Sequence, residues 1–202
     1  MGRHRIKVLN LYAGLGGNRA LWPDDVKVTA VENDAAVAGF YQDRFPGDRM
    51  ALADAHVYLI NNYQEYDFIW SSPPCQTHGQ YRHNVGVRAK GYAPLYPDMR
   101  LYEEIIFLQH HAEVRWVVEN TVSYYKPLVA PQKIGRHFFW ANFLIKDIDI
   151  PASGMRSMNK ISDWEKKLGL SLSGYKISNK RQALRNCVDS LVGAHILKCA
   201  MG

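Results

Sequence analysis

The 202-residue sequence predicts an α/β fold built on a doubly wound, mostly parallel sheet. Three observations predict it. Short apolar runs bounded by turn residues alternate with helical patterns. The connections between them are short, as successive strand–helix–strand units require. Polar residues of chemical interest recur at the ends of the apolar runs, where such sheets bind ligands.

The elements follow in order. Ile6–Leu11 reads as a buried strand and runs into a glycine turn at Gly14-Leu15-Gly16-Gly17. Val26–Val31 is the second strand. Asp34–Phe45 reads as a helix stopped by Pro46-Gly47. Ala51–Ala53 is a short third strand ending at Asp54, followed by a short helix over His56–Asn62. Asp67–Ser71 is the fourth strand, ended by Pro73-Pro74. A polar loop then runs to about Pro97. Asp98 caps a helix from Met99 to about Glu113, with Leu101, Ile105, Ile106 and Leu108 on one broad face. Arg115–Glu119 is the fifth strand, and His137–Leu144 a later strand or hairpin arm. From Asp147 to Ser178 the pattern breaks into an irregular insert, too short for a second domain. Ala183–Leu197 reads as a closing helix.

Composition narrows the class. Hydrophobic residues make up 47% and charged residues 22%, which fits a folded chain. No apolar run approaches the roughly 18 residues that span a membrane, so no membrane partner is expected. Three widely spaced cysteines form neither a disulfide framework nor a zinc site, so no metal is expected and a cytoplasmic location is the simplest. The net charge of +6 is uneven. Residues 1–150 hold 16 basic and 16 acidic side chains, and residues 151–202 hold 9 and 3. A second basic stretch, Gln76–Pro97, contains Arg82, Arg88, Lys90, His78 and His83 and no carboxylate. Two basic segments on a balanced domain suit a polyanion such as nucleic acid, though a solvated surface explains them about as well.

Three sites carry chemistry. The first is Asn10-Leu11-Tyr12-Ala13-Gly14-Leu15-Gly16-Gly17, whose glycines let backbone turn sharply and approach a ligand. Glu32, at the end of the second strand, can accept both hydroxyls of a ribose, and Asp54 can face an adenine amino group. An ordinary tight turn accounts for the glycines alone; the carboxylates at successive strand ends favour a nucleoside cofactor. GxGxxG and GxxxxGK[ST] are both absent, which disfavours a dinucleotide or a nucleoside triphosphate. The second site is Ser71-Ser72-Pro73-Pro74-Cys75-Gln76. A lone cysteine is usually a small core residue, but two prolines at a strand end display Cys75 rigidly, and basic neighbours favour its thiolate. The third is Val117-Val118-Glu119-Asn120, where a carboxylate follows an apolar strand; by itself a surface turn is the better reading.

Together these segments resemble the cytosine-C5 DNA methyltransferase family. The glycine segment resembles its cofactor motif with Tyr12 in place of the usual Phe. Pro73-Pro74-Cys75-Gln76 matches the nucleophile motif and Glu119-Asn120 the Glu-Asn motif. Arg136-His137-Phe138-Phe139-Trp140-Ala141-Asn142-Phe143 is similar to the motif carrying a site arginine, and Asn186-Cys187-Val188 to the final motif. They stand in family order across nearly the whole chain. Ile134 stands where the arginine motif has its first arginine, Arg185 where a Gly precedes the final Asn, and the recognition region is reduced to about residues 143–180. This is the pattern of a minimal, phage-type member.

The resemblance implies a class I S-adenosylmethionine-dependent methyltransferase fold in one domain, with the last helix completing the cofactor pocket. It implies S-adenosylmethionine as cofactor, S-adenosylhomocysteine as product, and double-stranded DNA as partner. No obligate protein partner is read, and a homodimer stays open. Cys75 would attack C6 of a flipped-out cytosine, Glu119 bind its N3 and amino edge, and Arg136 hold O2. Tyr12, Ala13, Gly14, Gly16, Gly17, Glu32, Asn33, Asp54, Ala55, Pro73, Asn186 and Cys187 would form the cofactor site. Gln76, Arg82, Arg88, Lys90, Lys176, Lys180 and Arg181 would contact DNA. A bacterial or phage-infected host cell is the expected setting, with restriction protection among the roles. An RNA (transfer-RNA-type) cytosine-C5 methyltransferase, a catalytically inactive DNA-binding homologue and a nucleotide-dependent oxidoreductase are the competing readings.

Overall fold

The central apolar runs pair side by side because each is apolar on both faces and must be covered twice. In the structure, a computed structural model that describes residues 5–149 and 160–202, they form β1 (Lys7–Leu11), β2 (Lys27–Glu32), β3 (Arg49–Leu52), β4 (Phe68–Ser71) and β5 (Arg115–Thr121). A hairpin, β6 (Gln132–Ile134) and β7 (His137–Ala141), completes a seven-stranded sheet of order β3-β2-β1-β4-β5-β7-β6. The first five strands are parallel; β7 is antiparallel to β5 and to β6. The order reverses between β1 and β4. The crevice above their carboxyl ends is therefore where a ligand belongs.

Alternation along the strands sorts the core into two layers. Val8, Val28, Phe68, Trp70 and Val117 face one side, under Val192, Ile196 and Leu197 of α6 (Ser190–Met201). Leu9, Leu11, Val31, Ile69 and Val118 face the other, against α2 (Ala55–Asn62) and α3 (Arg100–His111). Burial of each large apolar side chain here stabilises the fold by roughly 1.5–3 kcal/mol. Trp70 and Trp116 are core residues, as expected. Ile106 is not: it is exposed, and the buried face of α3 is Leu101, Tyr102, Glu104, Ile105 and Leu108.

Helix starts follow their caps. Asp34 accepts the Ala36 and Val37 N–H groups and opens α1 (Ala35–Arg44), and Asp54 accepts the Val57 N–H and opens α2. Asp98 accepts the Arg100 N–H at the head of α3.

Four expectations change. The loop after Cys75 is not wholly irregular: Arg82–Ala89 coils as a π-helical segment. A strand, β6, precedes β7 where none was expected. The insert contains α4 (Ile161–Leu168), closed by Gly169 in the left-handed conformation; its part at residues 150–159 lies outside the described residues. The closing helix is two helices, α5 (Lys180–Asn186) and α6, because the chain extends at Cys187 and Asp189 caps a fresh start by accepting the Leu191 N–H. The insert joins the domain's own core. Trp164, Leu172, Ile177 and Leu184 pack with Leu15, Val37 and Phe40 of the glycine turn and α1.

Candidate active site

One cavity of about 490 Å³ opens above the carboxyl ends of β1, β2, β4 and β5. Tyr12, Ala13, Gly14, Gly17, Glu32, Asn33 and Asp54 line one end, and Cys75, Gln76, Glu119 and Arg136 the other. Pro73, Asn186 and Cys187 also border it. Its volume is that of a site for a small molecule.

The glycine turn is held from its ligand side. Glu32 accepts the Gly14 N–H at 3.0 Å with one oxygen, and the N–H groups of Asn33 and Asp34 at 2.8 and 3.0 Å with the other. Gly14 has φ +54°, and a Cβ there would meet only the Tyr12 carbonyl at 3.9 Å, so its open side faces the cavity. Gly17 serves the opposite purpose. A Cβ on it would lie 2.5 Å from the Val188 carbonyl oxygen, so its bare backbone lets the final segment close against the turn. Gly16 does not border this cavity; a Cβ there would strike the rings of Phe45 and Tyr41. Ala55, also expected in the cofactor site, is a core residue of α2. Asp54 divides itself between capping α2 and a 3.4 Å contact with Arg100.

Cys75 is fixed through its backbone. The His78 and Gly79 N–H groups donate to its carbonyl at 3.1 and 3.2 Å. The Asn120 amide, fully inside the protein, donates to the Pro73 carbonyl at 3.0 Å and locks the proline turn onto β5. His78 is no part of a basic surface. It is buried between the Tyr125 hydroxyl and the Asp98 carbonyl, and burial lowers its pKa. The expected thiolate is also corrected. Burial, aided by the Glu119 charge, pushes the Cys75 thiol up to about 11, outweighing the opposite pull of Arg136 and Arg185.

Glu119 lies within β5, not in a turn after it, because the antiparallel β7 pairs Phe139 against it and extends the ladder to Thr121. Burial raises its pKa to about 7, against the lowering effects of a Ser72 hydrogen bond and Arg136. His137 stands 3.6 Å away, but burial holds its pKa down near 3, so it is neutral and the contact is no ion pair. Arg136 sits in the β6–β7 turn and donates from Nη2 to the Arg185 carbonyl at 3.3 Å.

Of the expected DNA contacts, only Gln76 borders the main cavity. Arg88, Lys90, Lys176 and Arg181 lie exposed outside it. Arg82 borders a smaller cavity of about 230 Å³ and donates to the Ala93 carbonyl, and Lys180 donates to the Leu172 carbonyl at 2.7 Å. These last two are engaged in holding their own loops. Sequence reasoning missed Arg100, Thr121, Gln182 and His137, which line the cavity, and the supporting roles of Ser72 and Asn120. Asn120 was in view as the second residue of the Glu119-Asn120 motif, but its bond to the Pro73 carbonyl was not.

The sheet order with its reversed β7 is that of a class I Rossmann-like fold. The sequence model of the C-5 cytosine-specific DNA methylase family matches residues 6–100, which hold the glycine turn, Glu32, Asp54 and Cys75. That segment is similar to this family. No curated protein matches the chain. Among solved structures, the chain is similar to a SAM-dependent methyltransferase from Agrobacterium tumefaciens (17% identity, TM-score 0.40, covering 61% of this chain and 41% of that one). It is also similar to a DNMT2 variant from Spodoptera frugiperda (23%, 0.40, 57% and 35%) and to the methyltransferase EhMeth from Entamoeba histolytica (14%, 0.38, 59% and 39%). The chain thus spans less than half the length of each of these three.

S-adenosylmethionine is the methyl donor the family uses, and the cavity fits it. Two carboxylates, Glu32 and Asp54, line it, the open face of Gly14 admits close approach, and Cys75 lines the same cavity. Among the described residues there is no cluster of His, Cys, Asp and Glu able to hold a metal, and no helix is long and apolar enough to cross a membrane.

Proposed function

We propose that the protein is a DNA cytosine-C5 methyltransferase acting through a covalent Cys75–C6 adduct. The observation that carries this reading is the single cavity that joins Glu32 and Asp54 to Cys75, Glu119 and Arg136.

The chemical problem is that C5 of cytosine is a poor nucleophile. S-adenosylmethionine, when bound, supplies an electrophilic methyl group. Glu32 takes the ribose hydroxyls, Asp54 the adenine amino group, and Tyr12 forms part of the wall. The Cys75 sulfur adds to C6 of a flipped-out cytosine. Glu119, poised near neutrality, meets the base in its protonated form and donates to N3 as negative charge develops there. Because the resting thiol is protonated, the attack begins with proton loss, and the charges of Arg136 and Arg185 ease that step. Arg136 holds O2. C5, made nucleophilic, takes the methyl group, releasing S-adenosylhomocysteine; C5 then gives its proton to water as the sulfur departs as thiolate, and N3 returns its proton to Glu119, which restores the aromatic ring. Flipping the base costs a few kcal/mol, and the basic loop of residues 76–97 closes over it.

The test is methyl transfer to unmethylated duplex DNA, read by bisulfite sequencing, with Cys75→Ala alongside. Protected cytosines with the wild type and none with the variant are expected, and they name the recognition site. Failure on DNA with transfer to RNA would move the substrate assignment. Cofactor binding without any transfer would indicate an inactive DNA-binding protein.

A further inference from the structure

A carboxylate buried on the inner face of a helix, with no Lys or Arg bonded to it, demands explanation. Glu104 of α3 is such a group: its side chain has no solvent exposure. It lies at the spacing of Leu101, Ile105 and Leu108, on the face that packs against the sheet. Three hydrogen-bonding groups converge on it. The Tyr12 hydroxyl donates to Oε1 at 2.5 Å, the Ser71 hydroxyl donates to Oε2 at 2.5 Å, and His56 Nδ1 stands 3.1 Å from Oε1. Tyr12 belongs to the cofactor turn, Ser71 ends β4 four residues before Cys75, and His56 lies in the first turn of α2. One buried carboxylate therefore ties the cofactor turn to the strand that displays the nucleophile.

The tie matters because Tyr12 is strained. Among the described residues it is the non-glycine residue at positive φ, +54°, a conformation costing about 1–2 kcal/mol outside glycine. A charge-assisted hydrogen bond to a buried acceptor offsets a cost of that size. His56 is the cluster's outlet to solvent, with its side chain 30% exposed and Nε2 3.3 Å from Glu103. The charged groups around it are Glu103, Glu104 and Arg100, and Asp54 lies beside Tyr12 and Arg100.

We propose that Glu104 is a positioning residue that holds Tyr12 and Ser71 in register, and that protonation of His56 tightens this hold and with it the cofactor site. The proposal rests on the S-adenosylmethionine reading of the cavity. Its hydrogen bond to Glu104 raises the His56 pKa above the usual value, so the imidazolium persists toward neutral pH. Cofactor affinity should be fully present below the ordinary histidine range and decline as pH rises through the raised value.

The experiment is calorimetric titration with S-adenosylhomocysteine from pH 6 to 9. The proteins are the wild type, Glu104→Gln, Tyr12→Phe, the double variant and His56→Gln, with far-UV circular dichroism as a check of folding. Glu104→Gln should weaken binding about tenfold. Tyr12→Phe should weaken it in the wild-type background and hardly at all beside Glu104→Gln, a coupling that two independent packing defects do not produce. His56→Gln should flatten the pH dependence. A folded Glu104→Gln protein with wild-type affinity overturns the proposal. If that variant does not fold, unchanged affinity and pH profile in Tyr12→Phe and His56→Gln overturn it equally. A wild type that binds no S-adenosylhomocysteine at any pH would instead overturn the cofactor reading beneath it.

Discussion

Replacing Glu119 with Gln should make the protein more stable in base, and the structure sets the size of the gain. Burial moves the Glu119 carboxyl from 4.5 to about 7. The folded state therefore binds this proton more tightly than the unfolded chain does. Below pH 4.5 both states are protonated and the residue is neutral in its effect. Between the two values the unfolded chain releases the proton first, so stability falls as pH rises, and above about pH 7 the full penalty is present. Each pKa unit corresponds to about 1.4 kcal/mol, so the penalty is about 3 kcal/mol. Glu119→Gln keeps the shape and removes the ionisation. Urea unfolding of both proteins at pH 4.5, 6 and 8.5 isolates this group, because other titrations cancel in the difference. The variant should gain about 3 kcal/mol relative to the wild type between the first pH and the last. A stability difference that stays constant across this range would refute the reasoning, since Glu119 would then ionise alike in both states.

The remaining predictions concern the cavity's walls. Cys75→Ser should abolish methyl transfer and leave S-adenosylhomocysteine affinity within about twofold by calorimetry; loss of both would make Cys75 a structural residue. In the wild type, alkylation of Cys75 by iodoacetamide should be slow at pH 7 and accelerate toward pH 11, following its raised pKa; a titration midpoint near 7 would contradict the dominance of burial. Asn120→Ala strips the Pro73 carbonyl of its buried donor and should cost about 1–3 kcal/mol of stability, with activity falling further than stability explains. Gly17→Ala forces a methyl group to within 2.5 Å of the Val188 carbonyl and should cost about 1–3 kcal/mol, read by urea unfolding; a neutral result would mean that the final segment moves freely.

Much of the site was legible before any coordinate. Glu32, Asp54 and Cys75 follow apolar strands, and a parallel sheet brings all such ends to one edge, so local pattern plus one topological rule assembled them. The reading failed where a residue's role depends on a partner remote in sequence. Glu104 was passed over on an amphipathic helix because its partners lie at residues 12, 56 and 71. Glu119 by itself read as a turn residue because only the antiparallel pairing with Phe139 extends β5 past it. The thiolate expected at Cys75 failed for a different reason: basic neighbours are visible in a sequence, but the burial that outweighs them is not.

The division has a physical basis. Hydrophobic periodicity, proline and glycine positions and capping side chains act over a few residues, so the sequence by itself determined the succession of strands and helices, the helix opening at Asp34, and the rigid display of Cys75. Desolvation and convergent hydrogen bonding act through space. Only the tertiary structure decided that α5 walls the cavity while α4 packs into the same core, that Asn120 locks the proline turn, and that Glu119 rests near neutrality while Cys75 keeps its proton.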